Sequence, residues 1–135
     1  MTNPLYQDLD HILQHTLSVF QELKDKSIFI TGGTGFFGLW FLETIAWANK
    51  NHHLGIKAVI LTRNPGGVKI KAQHLFNDPA FEFITGDIRD FEFPGTKFQY
   101  IIHGATTNAR ETFDNADNLK KYDTVAEGTR RLLEF

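Results

Sequence analysis

Along this 135-residue chain, apolar and polar positions switch between a helical period and an alternating one in a regular order. Leu5, Leu9, Ile12, Leu13, Phe20 and Leu23 fall along one helical face, with Asn3 and Pro4 as the expected cap and first helical residue. After the polar turn Lys24-Asp25-Lys26-Ser27 comes Ile28-Phe29-Ile30, the β-branched and aromatic run expected of a strand buried on both faces. Leu39, Phe41, Leu42, Ile45 and Ala46 return to helical spacing and predict a helix from Phe37 to Asn49, with Trp40 and Trp47 as packing residues. Lys57 to Leu61 reads as a second strand, Thr62 to Gly67 as a turn and Lys69 to Phe76 as a short helix. Phe81 to Thr85 is the third strand, closed by Gly86-Asp87-Ile88-Arg89-Asp90, and Phe98 to His103 is the fourth. From Asp117 onward Leu119, Tyr122, Val125, Ala126, Thr129, Leu132 and Leu133 are again helical. Strands alternating with helices predict an α/β domain on a parallel sheet.

The stretch Thr31-Gly32-Gly33-Thr34-Gly35-Phe36-Phe37-Gly38 joins the first strand to the helix after it. Its glycines satisfy both G-x-G-x-x-G and G-x-x-G-x-x-G, and a strand before with a helix behind is the context that gives such a triplet meaning. Gly32 can take backbone angles closed to other residues, Gly35 lets the main chain approach a pyrophosphate, and Gly38 lets the helix pack close. The free amides of the new helix, those of Phe36 and Phe37 among them, then face the anion. No Gly-Lys-Ser/Thr ending is present, which argues against a Walker-type triphosphatase.

Composition narrows the classes. Net charge is −2 and the pI is near 6.3, with charges mixed along the chain, so no field for nucleic acid is expected. Cysteine is absent, which excludes a disulfide framework and thiolate chemistry. The start lacks a signal-type pattern and no apolar run reaches membrane-spanning length, so the expectation is a cytoplasmic protein without a membrane partner. His11 and His15 stand four apart without an evident third ligand, and no metal site is expected; the helix carrying them packs on the domain or meets a partner chain.

The end of the second strand carries the cofactor choice. NAD sites place an acid there for the ribose diol, yet no Asp or Glu occurs between Glu43 and Asp78, and Arg63 stands in that place. A guanidinium suits a 2′-phosphate by charge and fork geometry, so NADP is favoured over NAD, the alternative being a solvated arginine like Lys69 and Lys71. Asp87 at the third strand's end either accepts from an adenine amino group, with Ile88 packing on the ring, or caps its own turn. After the fourth strand, Gly104-Ala105-Thr106 is small enough for main chain to lie beside a dinucleotide.

With these segments in order, the chain from Ser27 to Phe135 resembles the amino-terminal half of the extended short-chain dehydrogenases, the NAD(P)-dependent epimerase/dehydratase family. Thr31 to Gly38 is similar to the family's Thr-Gly-x-x-Gly-x-x-Gly loop and Gly86 to Asp90 to its adenine-side turn. His103-Gly104-Ala105-Thr106 is similar to its His-x-Ala-Ala strand exit, and Glu127 to Glu134 to its Gly-Thr-x-x-Leu-Leu-Glu helix. Val125 stands where that helix usually has asparagine, and the helical stretch before Ser27 is an addition. The resemblance implies a Rossmann-like doubly wound parallel sheet in order 3-2-1-4 with right-handed crossovers. It also implies a helical extension over residues 1–26 and a cofactor-binding domain over residues 27–135. Gly32, Gly35, Phe36, Phe37, Gly38, Arg63, Asp87, Ile88, His103, Gly104, Ala105 and Thr106 would form the cofactor site. Thr106 to Arg110 would border the nicotinamide and a nucleotide-sugar substrate.

Family chemistry needs a tyrosine four residues before a lysine, and Tyr6, Tyr100 and Tyr122 are followed at that distance by Asp10, Gly104 and Ala126. The expectation is therefore the front part of a longer epimerase, dehydratase or reductase of nucleotide sugars, inactive as this chain alone. The alternative is a non-catalytic NADP-binding sensor or scaffold that holds a partner with its first helix. A fourth strand at the sheet edge further predicts that this segment pairs with another copy, as in a homodimer, aggregates, or needs its continuation.

Overall fold

The computed structural model describes residues 3–107 and 118–135. In chain order they form α1 (Tyr6–Glu22), β1 (Ser27–Thr31), α2 (Phe36–His52), β2 (Lys57–Thr62), α3 (Pro65–Lys71), α4 (Gln73–Phe76), β3 (Phe81–Thr85), β4 (Tyr100–His103) and α5 (Asn118–Leu133). All strand pairs are parallel and the spatial order is β3-β2-β1-β4, as the motif order implied. Register aligns Ile30 with Ile60 and Ile102, and Thr31 with Leu61 and His103. The loops leaving β1, β2 and β4 therefore start from one level at the carboxyl edge of the sheet.

Alternation along the strands splits the core into two layers. Ile28, Ile30, Ala58, Ile60 and Phe81 pack on one face against residues of α1 to α4, including Leu13, Phe20, Leu42, Ile45, Val68 and Leu75. Phe29 and Leu61 face the other way, onto Ile88, Phe91 and Leu132 of α5. Phe29 is fully buried, its ring 5.5 Å from Phe91, 5.4 Å from Phe98 and 4.9 Å from Phe135. Arg131 fastens α5 over this layer, donating through Nε and NH2 to the Phe91 carbonyl while its guanidinium lies 4.6 Å from the Phe93 ring.

The amino-terminal helix belongs to the first layer. Leu9 and Leu13 are buried, Trp47 Nε1 on α2 donates to Asp10 Oδ1 at 2.7 Å, and Asn3 Nδ2 reaches Glu43 Oε2 at 3.4 Å. His11 and His15 meet edge to face on the exposed side of α1, 4.8 Å between centroids.

Several boundaries differ from the expected ones for identifiable reasons. Asn3 Oδ1 accepts from the Leu5 amide and Asn3 O from the Tyr6 amide, so a turn precedes the helix, which starts at Tyr6 rather than Pro4. The stretch expected as a turn and one helix, Thr62 to Phe76, forms two helices. Asn64 Oδ1 caps the first by accepting from Gly67 N, Pro65 takes its first position, and Ala72 breaks the run at φ −144°, ψ 59°. β4 begins at Tyr100, not Phe98, because Phe98 packs on Phe29 while Gln99 Oε1 accepts from Ser27 N. β4 is also the outer strand beside β1, and Tyr100, Ile101 and Ile102 are exposed on it.

Because Leu13 sits in the same layer as the strands, Leu13→Ala is expected to cost about 2–5 kcal/mol. Urea unfolding followed by circular dichroism should show this as one transition shifted to lower denaturant. Loss of α1 alone, with the sheet melting unchanged, would show that the helix is an independent appendage.

Candidate functional site

A cleft of about 520 Å³ opens at the carboxyl edge of the sheet. It brings together eight of the residues proposed from sequence: Gly32, Gly35, Arg63, Asp87, Ile88, Gly104, Ala105 and Thr106. They come from four loops that the register sets at one level, which is where ligands lie in open parallel sheets.

The floor is main chain against main chain. Gly32 has φ +74°, and a Cβ on it would run into the Gly104 carbonyl and stand 2.7 Å from Ala105 N. A Cβ on Gly38 would lie 2.5 Å from Gly32 O and Gly33 Cα, so α2 packs directly on the loop that precedes it. Gly35 differs from both. Its φ of −79° and ψ of −179° suit any residue, and a Cβ there would meet only Gly32 O, at 3.4 Å. Neither backbone strain nor packing among the described residues calls for glycine at this position, which faces the cleft.

Gly35 is also the N-cap of α2, and no side chain caps that end. Its own amide donates to Gly32 O at 3.1 Å, and the helical ladder begins with Leu39 N to Gly35 O at 2.9 Å. The amides of Phe36, Phe37 and Gly38 thus precede the ladder, the usual situation of a helix start before an anion or water satisfies it. The side chains of Phe36 and Phe37 turn outward, 73% and 84% exposed, and meet edge to face at 5.4 Å. What these two residues can offer a ligand is main chain.

At the β2 end the cleft is lined by Thr62, Arg63, Asn64 and Lys71. Lys71 closes α3, and the cap formed by Asn64 with Pro65 sets that helix beside Arg63. At the β3 end Asp87 is the only carboxylate among the described lining residues. Its Oδ1 accepts from Arg89 N and Nε, at 3.0 and 2.8 Å, and its Oδ2 from Arg89 NH2 at 3.0 Å. These bonds, and more weakly the charge of Arg63, hold the carboxyl below its usual range against the opposing effect of burial. The turn-capping geometry is therefore present, and Oδ2, with one donor, retains an acceptor position. Ile88 is buried under α5 and still borders the cleft; a Cβ on Gly128 would lie 3.0 Å from its side chain.

His103 lies outside the lining and ties its neighbours together. Nδ1 is 2.7 Å from Thr31 Oγ1 and Nε2 is 3.1 Å from Thr129 Oγ1 on α5. Thr31 Oγ1 also accepts from Ala105 N at 3.3 Å. Thr34, Asn64, Lys71 and Thr124 line the cleft beyond the residues expected from sequence, and Thr107 lines it as one of those expected to border the nicotinamide. For Lys71 the signal was the Asn64-Pro65 cap, which dates the helix start and so its end. Asn108 to Arg110, proposed to border the nicotinamide, lie outside the described residues.

Parallel strands in this order, helices on both faces and a glycine loop feeding an uncapped helix define a Rossmann-like α/β domain. No family model matches the chain. Over 58 residues, 43% of this chain, the sequence is 36% identical to fatty acyl-CoA reductase wat of Drosophila melanogaster. That match spans 11% of the reductase's length. Among the described residues, no helix is long and apolar enough to cross a membrane.

The three glycines should separate by experiment. Gly38→Ala is expected to cost more than about 2 kcal/mol, because backbone must move to admit the methyl. Gly35→Ser, which supplies the missing cap, should raise stability by a few tenths of a kcal/mol, roughly the capping difference between the two residues. Thermal melts of both variants check the pair; a large loss for Gly35→Ser would show that Gly35 is needed by the fold itself.

Proposed function

We propose that this cleft is the dinucleotide site of an NADP-linked reductase. The observation that carries the reading is Gly35, a glycine that no contact among the described residues requires, at the uncapped end of a helix facing an open cleft. The amides of Phe36, Phe37 and Gly38 would hold the diphosphate, assisted by the positive end of the helix dipole. Gly104, Ala105 and Thr106 would run along the nicotinamide half, and Ile88 would border the adenine. A bound nicotinamide supplies hydride transfer; these residues bind and orient it, and none is assigned a proton-transfer step. Tyr6, Tyr100 and Tyr122 are absent from the described lining.

NADP is preferred over NAD on charge. Arg63 and Lys71 line the end of the cleft where a 2′-phosphate would sit, and among the described lining residues no carboxylate lies at that end to take a ribose diol. For the substrate, partial similarity to a fatty acyl-CoA reductase supports reduction of an acyl thioester. A second reading, epimerisation or dehydration of a nucleotide sugar, is favoured by the glycine loop together with Gly86 to Asp90 and His103 to Thr106.

Tryptophan quenching or calorimetry with NADP and NAD tests the cofactor site. Arg63→Ala should weaken NADP binding by about 10-fold or more, since hydrogen bonds to charged groups contribute about 1.5–3 kcal/mol, with little change for NAD. Lys71→Ala should act in the same direction with a smaller loss. Equal losses for both nucleotides would remove these cations from the role, and Gly35→Ser binding NADP as tightly as the parent would overturn the site.

A further inference from the structure

The donor and acceptor inventory around His103 closes in one way. Thr129 Oγ1 spends its proton on the Val125 carbonyl at 2.6 Å, so toward Nε2 it can only accept, and Nε2 must carry the ring proton. Nδ1 is then an acceptor, and the Thr31 hydroxyl donates to it while receiving the Ala105 amide. Gly104 N, next in the chain, donates to Thr31 O at 2.9 Å. One neutral imidazole thus links the end of β1, the exit of β4 and the middle of α5. That exit is the Gly104-Ala105 main chain on which Gly32 rests.

We propose that His103 is a positioning residue, a latch whose neutral Nε2–H form holds α5 and the Gly104-Ala105 floor in place, and whose protonation loosens that floor and weakens dinucleotide binding. The second half of this statement rests on the dinucleotide reading above. Protonated, Nδ1 becomes a donor aimed at Thr31 Oγ1, whose own proton then loses its acceptor. Thr31 is 1% exposed, so water does not replace it. Partial burial pushes the pKa of His103 down, in the direction the latch requires. Among the described residues, charged groups offer no counterweight. β1 and residues 104–107 contribute none; Tyr100 is at the opposite end of β4; on α5 Arg130 pairs with Glu127 and Glu134, and Arg131 turns to Phe91. Asp123 and Tyr122 lie one to two turns before Thr129 on an exposed part of the helix.

A depressed folded pKa fixes the sign. The latch is fully present above the unfolded histidine value of about 6.5 and is lost as pH falls through the lower folded value. Affinity should then fall by up to about 10-fold per pH unit below that value, the limit for one coupled proton. NAD is the probe of choice, because the 2′-phosphate monoester of NADP itself titrates near pH 6 and would overlay the histidine's response. Long-range nitrogen–proton NMR of the full chain at pH 8 should find the proton on Nε2. Lowering the pH to 5 should move the Ala105 amide signal with the midpoint of the ring. NAD affinity should track the same midpoint in the parent and stay flat in His103→Asn, which keeps an acceptor for Thr31 and cannot titrate. A proton on Nδ1, or titration of the ring without a response at Ala105, overturns the latch. NAD affinity that ignores the ring's titration overturns its coupling while leaving the dinucleotide site standing. Absence of nucleotide binding at pH 8 overturns the dinucleotide reading, and the ring and Ala105 signals then decide the latch by themselves.

Discussion

Everything at the carboxyl edge of the sheet depends on three pieces of main chain approaching closer than a side chain would allow. Gly32, in the left-handed region, rests against Gly104, and Gly38 rests against Gly33. These contacts fix where β1 ends, where α2 starts and where the chain leaves β4. A helix start so placed would be stabilised by a serine or aspartate cap, yet the position is occupied by glycine. Departure from the locally favoured choice, with no compensating contact among the described residues, is the usual mark of a site shaped by something that binds. The same geometry leaves the amides of Phe36, Phe37 and Gly38 ahead of the helical ladder, between Gly35 and Leu39 of the cleft lining.

The two layers hold that edge differently. Toward α1 to α4 the sheet presents aliphatic residues in a broad buried layer, and Glu43, itself buried, accepts from His74 Nε2 at 2.5 Å to tie α2 to α4. Toward α5 the layer is narrow and aromatic, centred on Phe29 with Phe91, Phe98 and Phe135 around it. Gly128 lets α5 come down onto Ile88, and Thr129 next to it reaches His103. One wall of the cleft is thus set by a thinly packed helix joined to the sheet by a few polar bonds. Movement at this end therefore disturbs fewer apolar contacts than movement of α2 would.

Much of this was legible in the residues. The change of period from Ile28-Phe29-Ile30 to the Leu39, Leu42, Ile45 series placed strand and helix, and the glycine spacing placed the turn between them. Asp87 and Gly104 were found because strand ends in a parallel sheet converge. What escaped notice did so for physical reasons. Gly66 and Gly67 have poor helix propensity, so the capped helix they belong to read as a turn, and Lys71 at its end was left among solvated cations. Phe98 has the composition of a strand residue but is drawn out of the ladder by the Phe29 cluster, a contact far apart in sequence. For His103 the residue was identified and its position was not. Its neighbour Gly104 enters the cleft while its own ring turns toward Thr31 and Thr129, an orientation that depends on where α5 lies.

Charge around the cleft is uneven in a way the net value of −2 conceals. Asp87 is engaged by Arg89 on both oxygens, so that pair presents little net field to a ligand. Glu43, the nearest acid in sequence before β2, is buried among Asn3 and His74 on the far side of α2 and contributes nothing to the lining. Among the described lining residues Arg63 and Lys71 are the cations, both at the β2 end. The uncapped amino end of α2 adds the positive end of a helix dipole at the glycine loop. Charge of one sign between low-dielectric walls raises the local concentration of anions. On the reading proposed above, the diphosphate would lie at the amino end of α2 and a 2′-phosphate, rather than a free ribose diol, beside the two cations.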